Sequence, residues 1–311
     1  MRVTANTFPQ SLVDQLSSLA TRQNQLQNQA ATGQRVQLPE DDPAAFRRTL
    51  DMQGEGRAEA QYRQNLDRLD ELAKANFQVM KGLKTISDRA SELAIQADGA
   101  KSPAQLETYG IEVTQLLKQA VQLANTKFRG DYLLSGTRSD QPPFLLSSNA
   151  AGQVTGVTYQ GNDATAESEV AEGVTVAAGS LGANATGTGP RGLITDTRFG
   201  ADFFTHLIAL QDNLNAGDAA AIATTTRPNL LKDEDNLILH FGINGTLQAR
   251  LESMRGLSQT RSDSLEVMVS REVDADLAQT LVQLSQTQTA YQAALQSGAT
   301  ILSKSLLDYL R

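Results

Sequence analysis

The chain has 311 residues, a formal net charge of −8, 40% hydrophobic and only 5% aromatic residues, and neither cysteine nor tryptophan. That length points to about two domains or one elongated one. The acidic balance, with Lys and Arg spread along the chain and no basic run, argues against a large nucleic-acid footprint or adhesion to an anionic membrane. Without cysteine there is no disulfide, no Cys-type zinc site and no thiol nucleophile.

Met1–Ala20 is broken by polar residues at every turn, so no cleavable signal peptide is expected. No window approaches 18 consecutive apolar residues, so no membrane-spanning helix is expected either. The same N-terminal stretch carries a heptad. Leu12, Leu16, Leu19, Gln23, Leu26 and Ala30 step by 4, 3, 4, 3 and 4, the a/d seam of a coiled coil. Gly33 should stop this helix, and Pro39 and Pro43 punctuate the loop that follows. Asp41 or Asp42 then caps a new helix with Pro43 at its first position.

That second helix is predicted from Pro43 to about Asp98. Leu66, Leu69, Ala73, Phe77, Met80, Leu83, Ile86, Ala90, Leu93 and Ala97 keep to one face. Ser102-Pro103 opens a third, Pro103–Lys127. Helices this long with thin apolar stripes point to a rod. Residues 129–200 hold much of the Gly with Ser, Thr and Val, and read as strands and turns. Tyr132–Gly136 and Gln141–Leu146 form a candidate hairpin. Val154–Gln160, Glu167–Ala171 and Val174–Ala177 read as strands, and Gly179–Arg191 as a surface loop without periodicity. Ala201–Ala216 is a short amphipathic helix, and Asp233–Leu310 reads as one or two long ones. A second heptad closes the chain. Leu277, Leu284 and Tyr291 fall seven apart, and Leu281, Leu295 and Leu302 share a second row through Gln288. A buried amide such as Gln23 or Gln288 can fix register and partner number in such a seam.

The fold expected is mainly α with a β-rich middle domain: long antiparallel helices and a terminal coiled coil in an elongated rod. The segments are 1–42 (coiled-coil segment and loop), 43–128 (long helices of the rod), 129–200 (β-rich outer domain), 201–268 (helical return) and 269–311 (C-terminal coiled-coil helix). The four leucines of the first heptad cannot by themselves offset the entropy of ordering a helix in water, so each terminal seam requires a partner. The nearest is the other terminus, and the next a neighbouring copy.

Chemistry is scarce. There is no GxxxxGK[ST], no GxGxxG after a strand, no HExxH and no GxSxG, and Gly179–Gly192 lacks the Lys and the following helix start of a phosphate loop. Glu40-Asp41-Asp42 reads as a helix cap and Lys232-Asp233-Glu234-Asp235 as a loop and helix start, because a calcium loop needs oxygen ligands spread over about 12 residues. His206 and His240 lack local carboxylate partners for a metal site and read as surface or satisfied core residues. No catalytic, cofactor-binding or metal residues are assigned. The chain reads as an interaction or structural protein and not an enzyme. Its candidate site is the pair of seams: Leu12, Leu16, Leu19, Leu26, Leu277, Leu281, Leu284, Tyr291, Leu295 and Leu302.

Ala31-Thr32-Gly33-Gln34-Arg35-Val36, followed by Pro39-Glu40-Asp41-Asp42-Pro43-Ala44-Ala45, resembles the N-terminal region of the flagellin family. The form with Pro39 and Pro43 is more similar to the hook-associated proteins of the hook–filament junction. Leu123–Thr137, Gly156–Asn162 and the stretches Asp274–Ala278 and Ser305–Leu310 fit the same proteins. Gly179–Gly200 matches nothing in the family. The resemblance implies a flagellin-like architecture. It implies export without a cleaved signal peptide through the flagellar type III apparatus, helped by a cytoplasmic chaperone on the C-terminal helix. It also implies an extracellular place in the flagellum, needed for motility. The partners implied are further copies in a ring, the adjacent hook-associated protein and flagellin, with no nucleic acid, membrane or cofactor. Flagellin itself, the filament subunit, is the alternative.

Overall fold

A glycine and a proline-led cap set the first boundaries in the computed structural model, which describes residues 7–97 and 99–309. Gly33 takes a φ of +73° and closes α1 (Thr7–Thr32). The left-handed conformation there costs glycine little. Asp42 accepts a hydrogen bond from the Ala45 N–H at 3.0 Å, and α2 (Pro43–Gln96) begins. A capping box opens α3 (Pro103–Ala124): Ser102 accepts from the Gln105 N–H, and the Gln105 side chain accepts from the Ser102 N–H at 3.0 Å.

Nine short strands follow among the described residues. β1 (Lys127–Phe128) and β2 (Asp131–Tyr132) make a tight hairpin whose turn puts Arg129 at φ +53°. β3 (Phe144–Ser148) and β4 (Val154–Tyr159) are antiparallel, with Phe144 opposite Tyr159. β5 (Glu167–Ala171) pairs with β6 (Val174–Ala177). β7 (Leu181–Asn184) runs parallel to β8 (Gly192–Asp196), which pairs antiparallel with β9 (Ala201–Asp202). The chain returns through α4 (Phe203–Ala216), the single turn α5 (Ala219–Ala221) and a π-helical turn (Ile222–Thr226). It ends in α6 (Arg227–Val273) and α7 (Leu277–Tyr309).

The chain divides into two units, one of residues up to 58 and from 261 onward, the other of residues 59–260. In the 59–260 unit α2 and α6 run antiparallel. Arg63 bonds Gln259, the Asn244 amide donates to the Ala73 carbonyl at 3.0 Å, Phe77 meets Phe241 edge-on, and Lys84 pairs with Glu234 at 3.1 Å. The core lies between α2 (Met80, Leu83, Leu93), α3 (Leu117) and α4 (Phe203, Leu207, Leu210). Two side-chain amides hold the β3–β4 hairpin on this core. Asn125 bonds both backbone groups of Phe144, at 3.0 and 2.8 Å, and buried Gln211 bonds both backbone groups of Val154, at 3.2 and 3.0 Å. Each amide stands in for a missing neighbouring strand.

Several local expectations are corrected. Gln141–Leu146 does not pair back on Tyr132–Gly136; Phe144–Ser148 pairs forward with β4, because Asn125 already occupies the backbone of Phe144. Gly179–Arg191 is not a surface loop throughout: Leu181 and Asn184 are buried, and β7 lies in a sheet. A β-carbon at Gly182 would sit 2.6 Å from the Leu134 carbonyl, so only glycine admits that approach. The Asn184 side chain bonds the Thr186 and Gly187 N–H groups and organises the turn beyond the strand. Lys232–Asp235 lies inside α6, not in a loop, and Asp233 is buried there against His206. The third helix ends at Ala124, short of Lys127, which belongs to β1.

Candidate assembly interface

The first heptad becomes one side of a helix pair within the unit of residues up to 58 and from 261. Leu12, Leu16, Leu19, Gln23 and Ala30 are half-buried and Leu26 is buried, while Val13 faces outward at 61% exposure. α7 lies antiparallel against this row: a β-carbon on Gly298 would stand 2.6 Å from Leu12 Cδ2, and Gln34 forms a β-bridge with Asp274 at the other end.

On α7 the inward row is not the one read from the leucines. Thr280, Thr287 and Gly298 are buried, with Leu284, Tyr291 and Ala294 half-buried between them. These positions also step by 4, 3, 4, 3 and 4. The threonine hydroxyls are satisfied within their own helix, Thr280 donating to the Asp276 carbonyl and Thr287 to the Gln283 carbonyl, each at 2.8 Å. Small and self-satisfied residues let the α1 leucines come close. Leu284 and Tyr291 therefore share the face of α7 that carries Thr280, Thr287 and Gly298. Leu277, Leu281 and Leu295 do not: they remain 47%, 56% and 46% exposed on the flank of α7. Leu302 lies outside the residues whose side chains are described. Gln288 is half-buried between the two rows.

Where α1, α2, α6 and α7 end or begin, the chain knots itself together. The Arg35 N–H donates to the Val273 carbonyl at 2.6 Å, and the Ala275 N–H to the Gly33 carbonyl at 2.8 Å. The Arg35 guanidinium donates to the Glu272 carbonyl at 2.9 Å, and Arg48 grips the Glu272 carboxylate with two bonds of 3.2 and 2.7 Å. That grip holds the Glu272 carboxyl below its usual range. The Ala45 N–H does the same for Asp42, and the Leu38 and Gln37 N–H groups for Asp41, so the acidic cluster Glu40-Asp41-Asp42 serves a turn and a helix cap. Val36 and Val273 are buried beneath the knot.

In the 59–260 unit, two stretches that carried the family resemblance meet. The Tyr159 hydroxyl lies 3.0 Å from the carbonyls of both Leu134 and Asn162, and burial pushes its pKa up to about 12. The Thr137 N–H donates to the Asn162 side chain at 2.8 Å, and that side chain's amide donates back to the Thr137 hydroxyl at 2.6 Å. Both histidines are satisfied in the core: His206 Nδ1 lies 2.8 Å from Asp233, and His240 Nε2 lies 3.1 Å from the Gly192 carbonyl. Among the described residues no three His, Asp or Glu side chains are grouped to hold a metal, and no helix is long and apolar enough to cross a membrane.

Comparison with known proteins bears on the whole arrangement. Residues 3–139 match the bacterial flagellin N-terminal helical region. No curated protein matches the sequence. The fold is similar to a putative flagellar hook-associated protein from Vibrio parahaemolyticus, at a TM-score of 0.64 and 17% identity over 75% of this chain and 100% of that one. It is similar to FlgL from Bacillus cereus, at 0.52 and 19% over 72% and 99%. It is also similar to flagellar hook-associated protein-3 from Legionella pneumophila, at 0.50 and 16% over 76% and 98%. Residues 3–139 thus match the flagellin N-terminal helical region, in a chain whose fold is similar to that of flagellar hook-associated proteins.

Proposed function

We propose that the chain is a structural component of the bacterial flagellum, an adaptor of the hook-associated protein 3 type at the hook–filament junction, on which the flagellin filament assembles. The observation that carries this reading is the fold similar to a flagellar hook-associated protein over 75% of this chain and 100% of that one, in which α1 packs on α7. The exposed Leu277, Leu281 and Leu295 supply a second apolar row for neighbouring subunits. The partners in this reading are further copies in a ring, the adjacent hook-associated protein, flagellin and a cytoplasmic export chaperone. The place of action is outside the cell, and the chain performs no catalysis.

Deletion of the gene tests the role. Cells should keep hooks, lose filaments and motility, and release flagellin into the medium, with all three restored by the intact gene. Normal filaments in the deletion strain would overturn it. The match to a flagellin region favours one second reading, a filament subunit. Purified chain that polymerises alone into long filaments would select that reading; an adaptor should not.

A further inference from the structure

The α1–α7 seam has a physical weakness: it repeats. Leu12, Leu19 and Leu26 are spaced by seven, as are Thr280 and Thr287, and Leu284, Tyr291 and Gly298. Sliding one helix by a heptad, about 10.5 Å, keeps leucine rows facing small or apolar rows. The chain connection does not forbid it. The loop Gly33–Asp42, at about 3.3 Å per extended residue, is long enough to let α1 shift that far. Something other than the seam must set the register.

We infer that two features at opposite ends of the helix pair set it: the knot between Gly33–Arg35 and Glu272–Ala275, and the notch at Gly298. The knot ties the end of α1 to the start of α7 through the Arg35-to-Val273 and Ala275-to-Gly33 backbone bonds, the Gln34–Asp274 bridge and the Arg35 guanidinium on the Glu272 carbonyl. Every one of these breaks on a heptad slip. At the far end Leu12 lies where a side chain on residue 298 would begin, so the notch accepts the leucine in one register. A slip toward Tyr291 would bring the leucine against a large ring, and overpacking of that kind is costly. Arg35 and Gly298 are therefore positioning residues. They decide which apolar residues the pair buries, and which flank of α7 is left outside. This inference stands on the unit's own geometry and does not rest on the flagellar reading.

The absence of native cysteine makes the register directly readable. Counting eleven residues on from Leu12 along α1 and eleven back from Gly298 along α7 places Gln23 level with Thr287. In the full-length purified chain, Gln23→Cys with Thr287→Cys should form an intramolecular disulfide on mild oxidation. Gln23→Cys paired with Thr280→Cys or with Ala294→Cys, the two slipped registers, should form little. Peptide mass mapping and gel mobility read the yields. Adding Arg35→Pro, which removes both the N–H given to Val273 and the guanidinium on the Glu272 carbonyl, and Gly298→Leu together should lower the ratio of native to slipped cross-links roughly tenfold, with each alone giving a smaller fall. An unchanged ratio would overturn the inference. So would loss of every cross-link in the double variant, which would show that these residues hold the pair together and do not choose its register. Failure of all three pairs in the parent chain would remove the helix pair itself. Motility plays no part in this readout, so its outcome is separate from that of the flagellar proposal.

Discussion

Single amides carry unusual responsibility in the 59–260 unit. Gln211 satisfies both the N–H and the carbonyl of Val154, and it also accepts from the Thr114 hydroxyl at 2.9 Å. Replacing it by leucine would keep the volume and leave those buried groups unpaired, at about 1–3 kcal/mol for each backbone group. Gln211→Leu should lower the urea midpoint accordingly, with the slope unchanged. A midpoint equal to the parent's would show that water replaces the amide. His240 gives a pH signature. Burial lowers its pKa below the ordinary 6.5; the Gly192 carbonyl and Asp196 pull it up, and Arg191 and Arg198 push it down. As pH falls below 6.5 the unfolded chain gains a proton that the folded chain refuses, so stability drops until the folded pKa is reached. Asp233, raised by burial, contributes with the opposite sign, gaining stability as pH falls. Asp41, Asp42 and Glu272, all lowered, lose their contributions only at lower pH, from near their ordinary 3.8 to 4.5 downward. His240→Gln keeps a donor for Gly192 and should flatten the fall in melting temperature between pH 7 and pH 5.5. Parallel curves for parent and variant would assign the fall to other groups.

At the scale of elements, legibility followed side-chain size. The seam of α1 was readable because its inward positions are leucines. Its counterpart on α7 was not, because the inward positions include Thr280, Thr287, Ala294 and Gly298, which hydrophobic periodicity passes over in favour of the larger Leu281 and Leu295. The two rows now have separable roles. Leu16→Asp should disrupt the α1–α7 pair in the isolated chain, seen as loss of helical circular dichroism and faster proteolysis of residues 10–32. Leu281→Asp should leave both measurements unchanged and, under the proposed function, still reduce motility. Equal damage to the isolated chain from both would mean that Leu281 also faces α1. The long helices, the Asp42 cap and the β5–β6 hairpin were visible in periodicity and turn residues. β7 was not, since Leu181-Gly182-Ala183-Asn184 owes its place to the close approach of Gly182 to Leu134, a contact 48 residues back (182 − 134) that no local pattern encodes.

The whole chain places its two ends in one unit and most of its length in the other. The core of residues 59–260 is closed by its own helices and strands, so a chain ending at residue 276 should keep it. Such a truncation removes α7 and should leave residues 59–260 resistant to limited proteolysis while residues 7–32 become sensitive. Survival of the first segment would mean that α1 needs no partner. The pairing of Leu12 with Gly298 spans 286 positions (298 − 12), which makes time as well as space part of the design. A chain that emerges N-terminus first presents α1 well before its partner. Until then the leucine row has nothing to fold against, while the segments between can settle locally. The closing of α1 on α7 must await the segments between them, and its loop-closure cost falls on a chain whose middle is already ordered.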